Sequence, residues 1–254
     1  MPKSKILLIC NESKTVINFR KELILFLLNN NFNVSVITGD NKFEEQIKSL
    51  GVEYNCVNFD NRSINPFSIL KTKSEFSKII NQVSPDCVFT FQIKPNIFGT
   101  LACKGHKNLK ILNMVEGLGD PFQPKNLKGK IIRFIVSLLY KKAFKLSKTV
   151  FFLNNSDKEE LVKRNILTES KAVIINGIGI DTSIYKANSD LPKEKRVLNL
   201  SRLIKNKGIF EYCEIARKVI ADIGYTKSEY GFDSFSSGII SAVDRTLSTS
   251  SAKL

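Results

Sequence analysis

The chain has 254 residues, 43% of them hydrophobic, and a formal net charge of +15. That length and apolar share exclude a mostly disordered polypeptide and leave room for one large domain or two smaller ones. The positive excess favours anionic partners such as nucleic acid, an acidic membrane surface or phosphorylated small molecules, although a composition rich in Asn and Lys and free of Trp accounts for the sum equally well.

The five cysteines (Cys10, Cys56, Cys87, Cys103 and Cys213) form no Cys-x-x-Cys pair, and the single His106, in a polar turn, does not complete a set of ligands at zinc-site spacing. This pattern predicts a reducing, cytoplasmic setting, no metal site and no cofactor. The first apolar stretch is too short for a cleavable signal, and no run reaches the roughly 18 apolar residues of a spanning helix.

Apart from Lys5, residues 5–10 are continuously apolar, the pattern of a strand buried on both faces. A helical pattern follows, with Val16, Phe19, Leu23, Phe26 and Leu27 at spacings of three and four, which predicts that Phe19 packs into the core. Strands are then predicted at 33–38, near 52–58, and at 86–91, 110–114, 149–153 and 171–175. Helices are predicted between them near 42–50, 67–82, 96–105, 127–147 and 156–165. This alternation implies an α/β fold with a mainly parallel sheet. Ligands bind such sheets at the carboxyl ends of the strands, so the loops after Cys10, Phe91 and Met114 form the expected functional rim.

A polar linker at 186–195 precedes a fresh strand pattern at 196–201, a basic loop at 202–208 and a helix near 209–220. The expected division is therefore a complete Rossmann-like domain over 1–186 and the incomplete start of a second over 187–254. Residues 227–254, rich in Ser and Gly and without strand–helix rhythm, read as an atypical tail left by truncation or a frameshift.

Three loops carry candidate chemistry. Arg202 and Lys207, with Gly208, flank a turn before a helix N-terminus, where a forked donor and a point charge suit a diphosphate, or form a solvated basic turn. Lys94 and Asn96 follow a buried strand and open a helix, with Pro95 where its missing N–H costs nothing, so both are expected to face the cleft. Glu116 follows a strand and precedes Gly117 and Gly119, which let the backbone turn near a ligand. Its carboxylate would orient an acceptor hydroxyl or take its proton, unless it serves only as a cap. Asn18 and Arg20 are expected at the same rim. Finally, residues 125–148 hold eight basic residues and no acidic one around an apolar centre. This segment is either a buried crossover helix or a helix that docks on an anionic membrane through Lys128, Lys130, Arg133, Lys141, Lys142 and Lys145.

Several of these segments, in this order, resemble the retaining family-four glycosyltransferases of the two-domain GT-B fold. Arg202, Lys207 and Gly208 match the family's Arg-x4-Lys-Gly signature. Asn176, Gly177, Gly179, Asp181 and Tyr185 match its interdomain connection, with Tyr185 at a position more often Phe. The segments 18–20, 61–67, 94–99 and 116–119 also fit, over about residues 4–220. The nearest subgroup extends undecaprenyl-diphosphate-linked sugars. The resemblance implies a UDP-sugar donor, an N-acetylhexosamine or related sugar, and retention of anomeric configuration without a metal. It further implies a lipid-linked saccharide acceptor, work at the inner face of the cytoplasmic membrane in surface-polysaccharide or glycan assembly, and no nucleic-acid partner. By the same resemblance Glu116 and Lys94 are catalytic, Arg202, Lys207 and Gly208 hold the donor diphosphate, and Gly177 and Gly179 line the cleft. The family's Glu-x7-Glu pair has no counterpart after residue 200. A non-catalytic acceptor-binding protein and a UDP-sugar epimerase of the same architecture are the competing expectations.

Overall fold

Residues 5–9 pack apolar side chains to both sides: Leu7 and Ile9 enter one buried cluster, Leu8 and Cys10 the other. A strand that alternates in this way and is apolar throughout needs cover on both faces. The computed structural model describes residues 3–57, 66–124, 126–184, 186, 199, 201 and 207–222. The chain divides into two compact units, Met1–Lys186 and Ala187–Leu254.

In the first unit, β1 (Lys5–Ile9), β2 (Asn33–Thr38), β3 (Glu53–Cys56), β4 (Cys87–Phe91), β5 (Lys110–Val115), β6 (Thr149–Phe152) and β7 (Ala172–Ile174) form one sheet in the order β3-β2-β1-β4-β5-β6-β7. Every pairing is parallel. The order runs outward in both directions from β1 and β4, so the chain changes direction between these two neighbours. That place is the topological switch point, where open α/β sheets leave a crevice at the carboxyl ends.

The helices α1 (Ser13–Phe19), α2 (Lys21–Asn29) and α3 (Glu44–Lys48) cover one face through Val16, Ile24 and Ile47. The other face is covered by α4 (Pro66–Val83), a π-helical turn at Pro95–Gly99 that runs into α5 (Thr100–Ala102), α6 (Leu127–Leu146) and α7 (Asn155–Lys163). In α6 the buried side is Val136, Tyr140, Ala143 and Phe144, with the Tyr140 and Phe144 rings stacked at 4.8 Å. Asn126 begins α6 by accepting a hydrogen bond from the Gly129 N–H at 2.8 Å. In the second unit the described helix is α8 (Ile209–Asp222), which follows Gly208 at φ 71°.

The first helical stretch departs from expectation. It breaks at Arg20 (φ −123°, ψ −7°), and the buried row is Val16, Arg20 and Ile24. Phe19 is 50% exposed and does not pack in the core. The apolar periodicity placed the stripe one residue away because it gave a charged side chain no share of the interior. The strand expected at 196–201, the tail at 227–254 and the segment 61–67 lie largely or wholly outside the described residues.

Candidate active site at the switch point

The loops leaving β1, β4 and β5 meet at the carboxyl edge of the sheet. Gln92, the first residue after β4, links them. Its side-chain carbonyl accepts the Asn11 N–H at 3.0 Å, and its amide donates to Glu116 Oε2 at 2.9 Å. Gln92 adopts φ 65°, a left-handed conformation that costs a non-glycine residue free energy and that surrounding contacts must hold.

Glu116 accepts from two donors. Its Oε1 pairs with Arg20 Nη2, and its Oε2 takes the Gln92 amide. Arg20 is 2% exposed, whereas the Glu116 side chain is 23% exposed, so the carboxylate is the member that solvent and ligands reach. The guanidinium lies over the Phe91 ring at 4.1 Å and donates to the Phe19 carbonyl at 3.1 Å. Beneath it, burial pushes the Cys10 thiol up to about 12, opposed by the neighbouring Arg20 charge. Burial in turn pulls Arg20 below its ordinary value, offset in part by Cys10. A carboxylate offers about four lone-pair directions, so two bound donors leave Glu116 able to accept another hydrogen bond.

The backbone after Glu116 is shaped by one glycine. Gly119 has φ 63° and ψ −167°, a region open in practice to glycine, and a Cβ there would also stand 3.4 Å from Ile93 Cδ1. Gly117 has no such need, since a Cβ at that position meets nothing within 4 Å. Gly177 (φ 114°) and Gly179 (φ 77°) are both left-handed. The loop they begin is held by Asp181, which accepts from the Ser183 N–H at 2.8 Å and hydroxyl at 2.6 Å. Those hydrogen bonds lower the Asp181 carboxyl below its ordinary value.

Not every expected residue reaches the rim. Asn96 does not face the cleft: it is fully buried, accepts from Thr90 Oγ1 at 2.7 Å and donates to the Met114 carbonyl at 2.8 Å. Asn113 extends this network to Thr90 and Thr100, both at 2.7 Å. The wider π turn carries Asn96 inward, where it ties β4 to β5. Lys94, at the N-cap of that turn, is half-buried, and Asn18 is exposed. Lys207 is exposed, and Arg202 lies outside the described residues. Of the basic residues expected on one docking helix, Lys128, Lys130, Lys141, Lys142 and Lys145 are exposed. Arg133 is half-buried and turned away from the helix's outer face, because Val136 and Tyr140 hold that side against the sheet. Gln92 escaped the sequence reading. Its one signal is its place as the first polar residue after a buried strand at the switch point.

Among the described residues, no three His, Cys, Asp or Glu side chains gather to hold a metal ion, and no helix is long and apolar enough to cross a membrane. The family profile described as "Glycosyl transferase 4-like" matches residues 5–150. A relative from Campylobacter jejuni, the N,N'-diacetylbacillosaminyl-diphospho-undecaprenol alpha-1,3-N-acetylgalactosaminyltransferase, is 28% identical over 216 residues, which are 80% of this chain and 57% of the relative. A glycosyltransferase structure from Rickettsia africae superposes with a TM-score of 0.53 at 19% identity, covering 85% of this chain and 50% of the other, a likeness of fold. A short likeness points elsewhere: an S-adenosylmethionine synthase from Chlorobium phaeobacteroides is 52% identical over 40 residues, 16% of this chain and 10% of that protein. The chain thus spans little more than half the length of the transferases it resembles. Its parallel sheet and the profile match over 5–150 make it a member of the glycosyl transferase 4-like family.

Proposed function

We propose that the chain serves sugar transfer from a UDP-linked donor to an undecaprenyl-diphosphate-linked or related glycan acceptor, and that its first unit holds the acceptor. The observation that carries this reading is the Glu116 carboxylate, fixed by Arg20 and Gln92 at the switch point and open on its remaining side. The name of the Campylobacter relative supports an undecaprenyl-diphosphate acceptor and an N-acetylhexosamine as the sugar moved.

In this reading Glu116 accepts a hydrogen bond from the acceptor hydroxyl and aims its oxygen at the anomeric carbon. Arg20 and Gln92 do not touch the substrate; they hold the carboxylate in one rotamer. Lys94 places a cation at the same rim. As the new glycosidic bond forms and the nucleotide diphosphate leaves, Arg202, Lys207 and the amide of Gly208 would take up its charge. Gly177 and Gly179 give the connecting loop the left-handed turns it requires, and Asn18 belongs to the acceptor rim. Transfer occurs with retention and without a metal.

The test is direct. A short-chain polyprenyl-diphosphate sugar titrated calorimetrically into the protein should bind saturably, and Glu116→Gln should weaken binding about tenfold by removing a charge-assisted contact. Equal binding by parent and variant would detach Glu116 from the acceptor. Conversion of UDP-N-acetylglucosamine with no acceptor present would instead favour an epimerase.

A further inference from the structure

The break at Arg20 leaves an aromatic ring in solvent beside the candidate site. Phe19 closes α1 and is 50% exposed. Its carbonyl accepts from Arg20 Nη1 at 3.1 Å, and Nη2 of the same guanidinium pairs with Glu116 Oε1. Two hydrogen bonds and the width of one guanidinium thus separate the Phe19 carbonyl from the Glu116 carboxylate, no more than about 8 Å. Exposure alone would not mark this ring. Phe26, on α2, is 62% exposed, yet its carbonyl serves Asn30 at the end of its own helix. Phe19 is tied instead to a side chain that fixes Glu116. The loop begun by Gly177 and Gly179 passes the same corner: Asp181, lowered chiefly by its Ser183 hydrogen bonds, also feels the charge of Lys21, the first residue of α2.

We propose that the Phe19 ring is the platform on which the sugar ring of the acceptor lies while one hydroxyl of that sugar meets Glu116. The inference rests on the reading of the first unit as the acceptor site, and adds to it the face of the acceptor that is recognised. A pyranose carries hydroxyls around its edge and C–H groups on its faces, and the negative face of an aromatic ring attracts those C–H groups. A carboxylate and an aromatic face about one sugar ring apart can therefore read both aspects of a single residue. Distance selects the sugar over the rest of the acceptor. With a hydroxyl on Glu116, the carbons of the same ring come next, whereas the diphosphate and the polyprenyl chain begin beyond it. The fold gains little from a half-exposed phenylalanine, so its removal should spare stability.

Calorimetric titration of the full chain tests this with two ligands, a short-chain polyprenyl-diphosphate N-acetylglucosamine and the same polyprenyl diphosphate without its sugar. Phe19→Ala should weaken binding of the sugar-bearing ligand about three- to tenfold and leave the sugarless one as in the parent, with the unfolding midpoint unchanged. Phe19→Tyr and Phe19→Trp should keep parent affinity, whereas Phe19→Leu, apolar but without a π face, should behave like alanine. Phe26→Ala should bind like the parent. Parent-like binding by Phe19→Ala, equal losses for the two ligands, or full affinity in Phe19→Leu would each overturn the platform. So would a dimer in sedimentation that Phe19→Ala dissolves without any change in sugar binding. Glu116→Gln separates this inference from the reading beneath it. A loss there beside parent-like binding by Phe19→Ala sinks the platform and keeps Glu116 on the acceptor. A loss in Phe19→Ala beside parent-like binding by Glu116→Gln keeps the platform and detaches Glu116. A parent that binds neither ligand overturns both.

Discussion

Arg20 is a charge placed where charges are costly. With 2% exposure it relies on Glu116, the Phe91 ring and the Phe19 carbonyl for all that water would otherwise supply, and its Nε has no hydrogen-bond partner. The two ends of the ion pair should therefore respond unequally to mutation. Glu116→Ala leaves a buried guanidinium without a counter-charge and should lower the unfolding free energy by about 3–5 kcal/mol. Arg20→Met fills much of the same volume and leaves a half-exposed carboxylate that keeps Gln92 and gains water. Its cost should be about 1 kcal/mol. Urea denaturation of both variants measures the difference, and equal losses would mean that the pair is not what stabilises this corner. The sequence placed Arg20 at the rim beside Asn18, and its burial was not legible there, because nothing local marks one of 39 basic residues as interior. Glu116 was legible because a carboxylate set between a buried strand and two glycines stands where a parallel sheet opens its crevice.

At the scale of elements, the π turn after β4 decides what the rim contains. One residue beyond α-helical spacing turns Asn96 into the core and leaves Gly99 against β1 and β4. A Cβ on Gly99 would stand 3.1 Å from Ile9 Cδ1 and 3.2 Å from Thr90 Cγ2, both in the packed interior. Gly99→Ala should therefore destabilise the unit by roughly 1–3 kcal/mol through overpacking, although alanine is the better helix former. Thermal unfolding checks this; a raised midpoint would show that the turn relaxes to a regular α-helix. The existence of a helix near 96–105 was readable from Pro95 and the apolar pattern. Its irregular winding was not, since no single residue between 95 and 99 encodes a π turn apart from its packing partners. The break between α1 and α2 has the same origin: burying Arg20 rotates the helical face, and Phe19 and Phe26 are left outside.

For the whole molecule, the first unit has its own sheet, two buried clusters and helices on both faces. A chain ending at Lys186 should fold by itself, with one cooperative urea transition and the far-UV circular dichroism of an α/β protein. Two transitions, or an unfolded product, would show that the unit depends on residues after 186. Two likenesses of unequal reach coexist in the full chain: a transferase relative over 80% of it and an S-adenosylmethionine synthase over 16%. Because the family profile covers 5–150, which contains β1 to β5, the transferase likeness is the one that describes the sheet and its switch point.

The alternation of apolar runs with helical periodicity was enough, by itself, to predict these seven strands in a mainly parallel sheet. The central runs need cover on both faces and crossover helices provide it, whereas the edge strands β3 and β7 stay partly exposed. The same pattern located the candidate rim, because loops after parallel strands emerge on one edge. Only the tertiary structure decided which side chains share that rim. Glu116 lies 96 residues from Arg20 and 24 from Gln92 in the chain, and the three meet because β1, β4 and β5 follow one another across the sheet. Strand order and helix rotation are products of packing, and packing sums weak contacts from the whole chain, so no local stretch of sequence carries them.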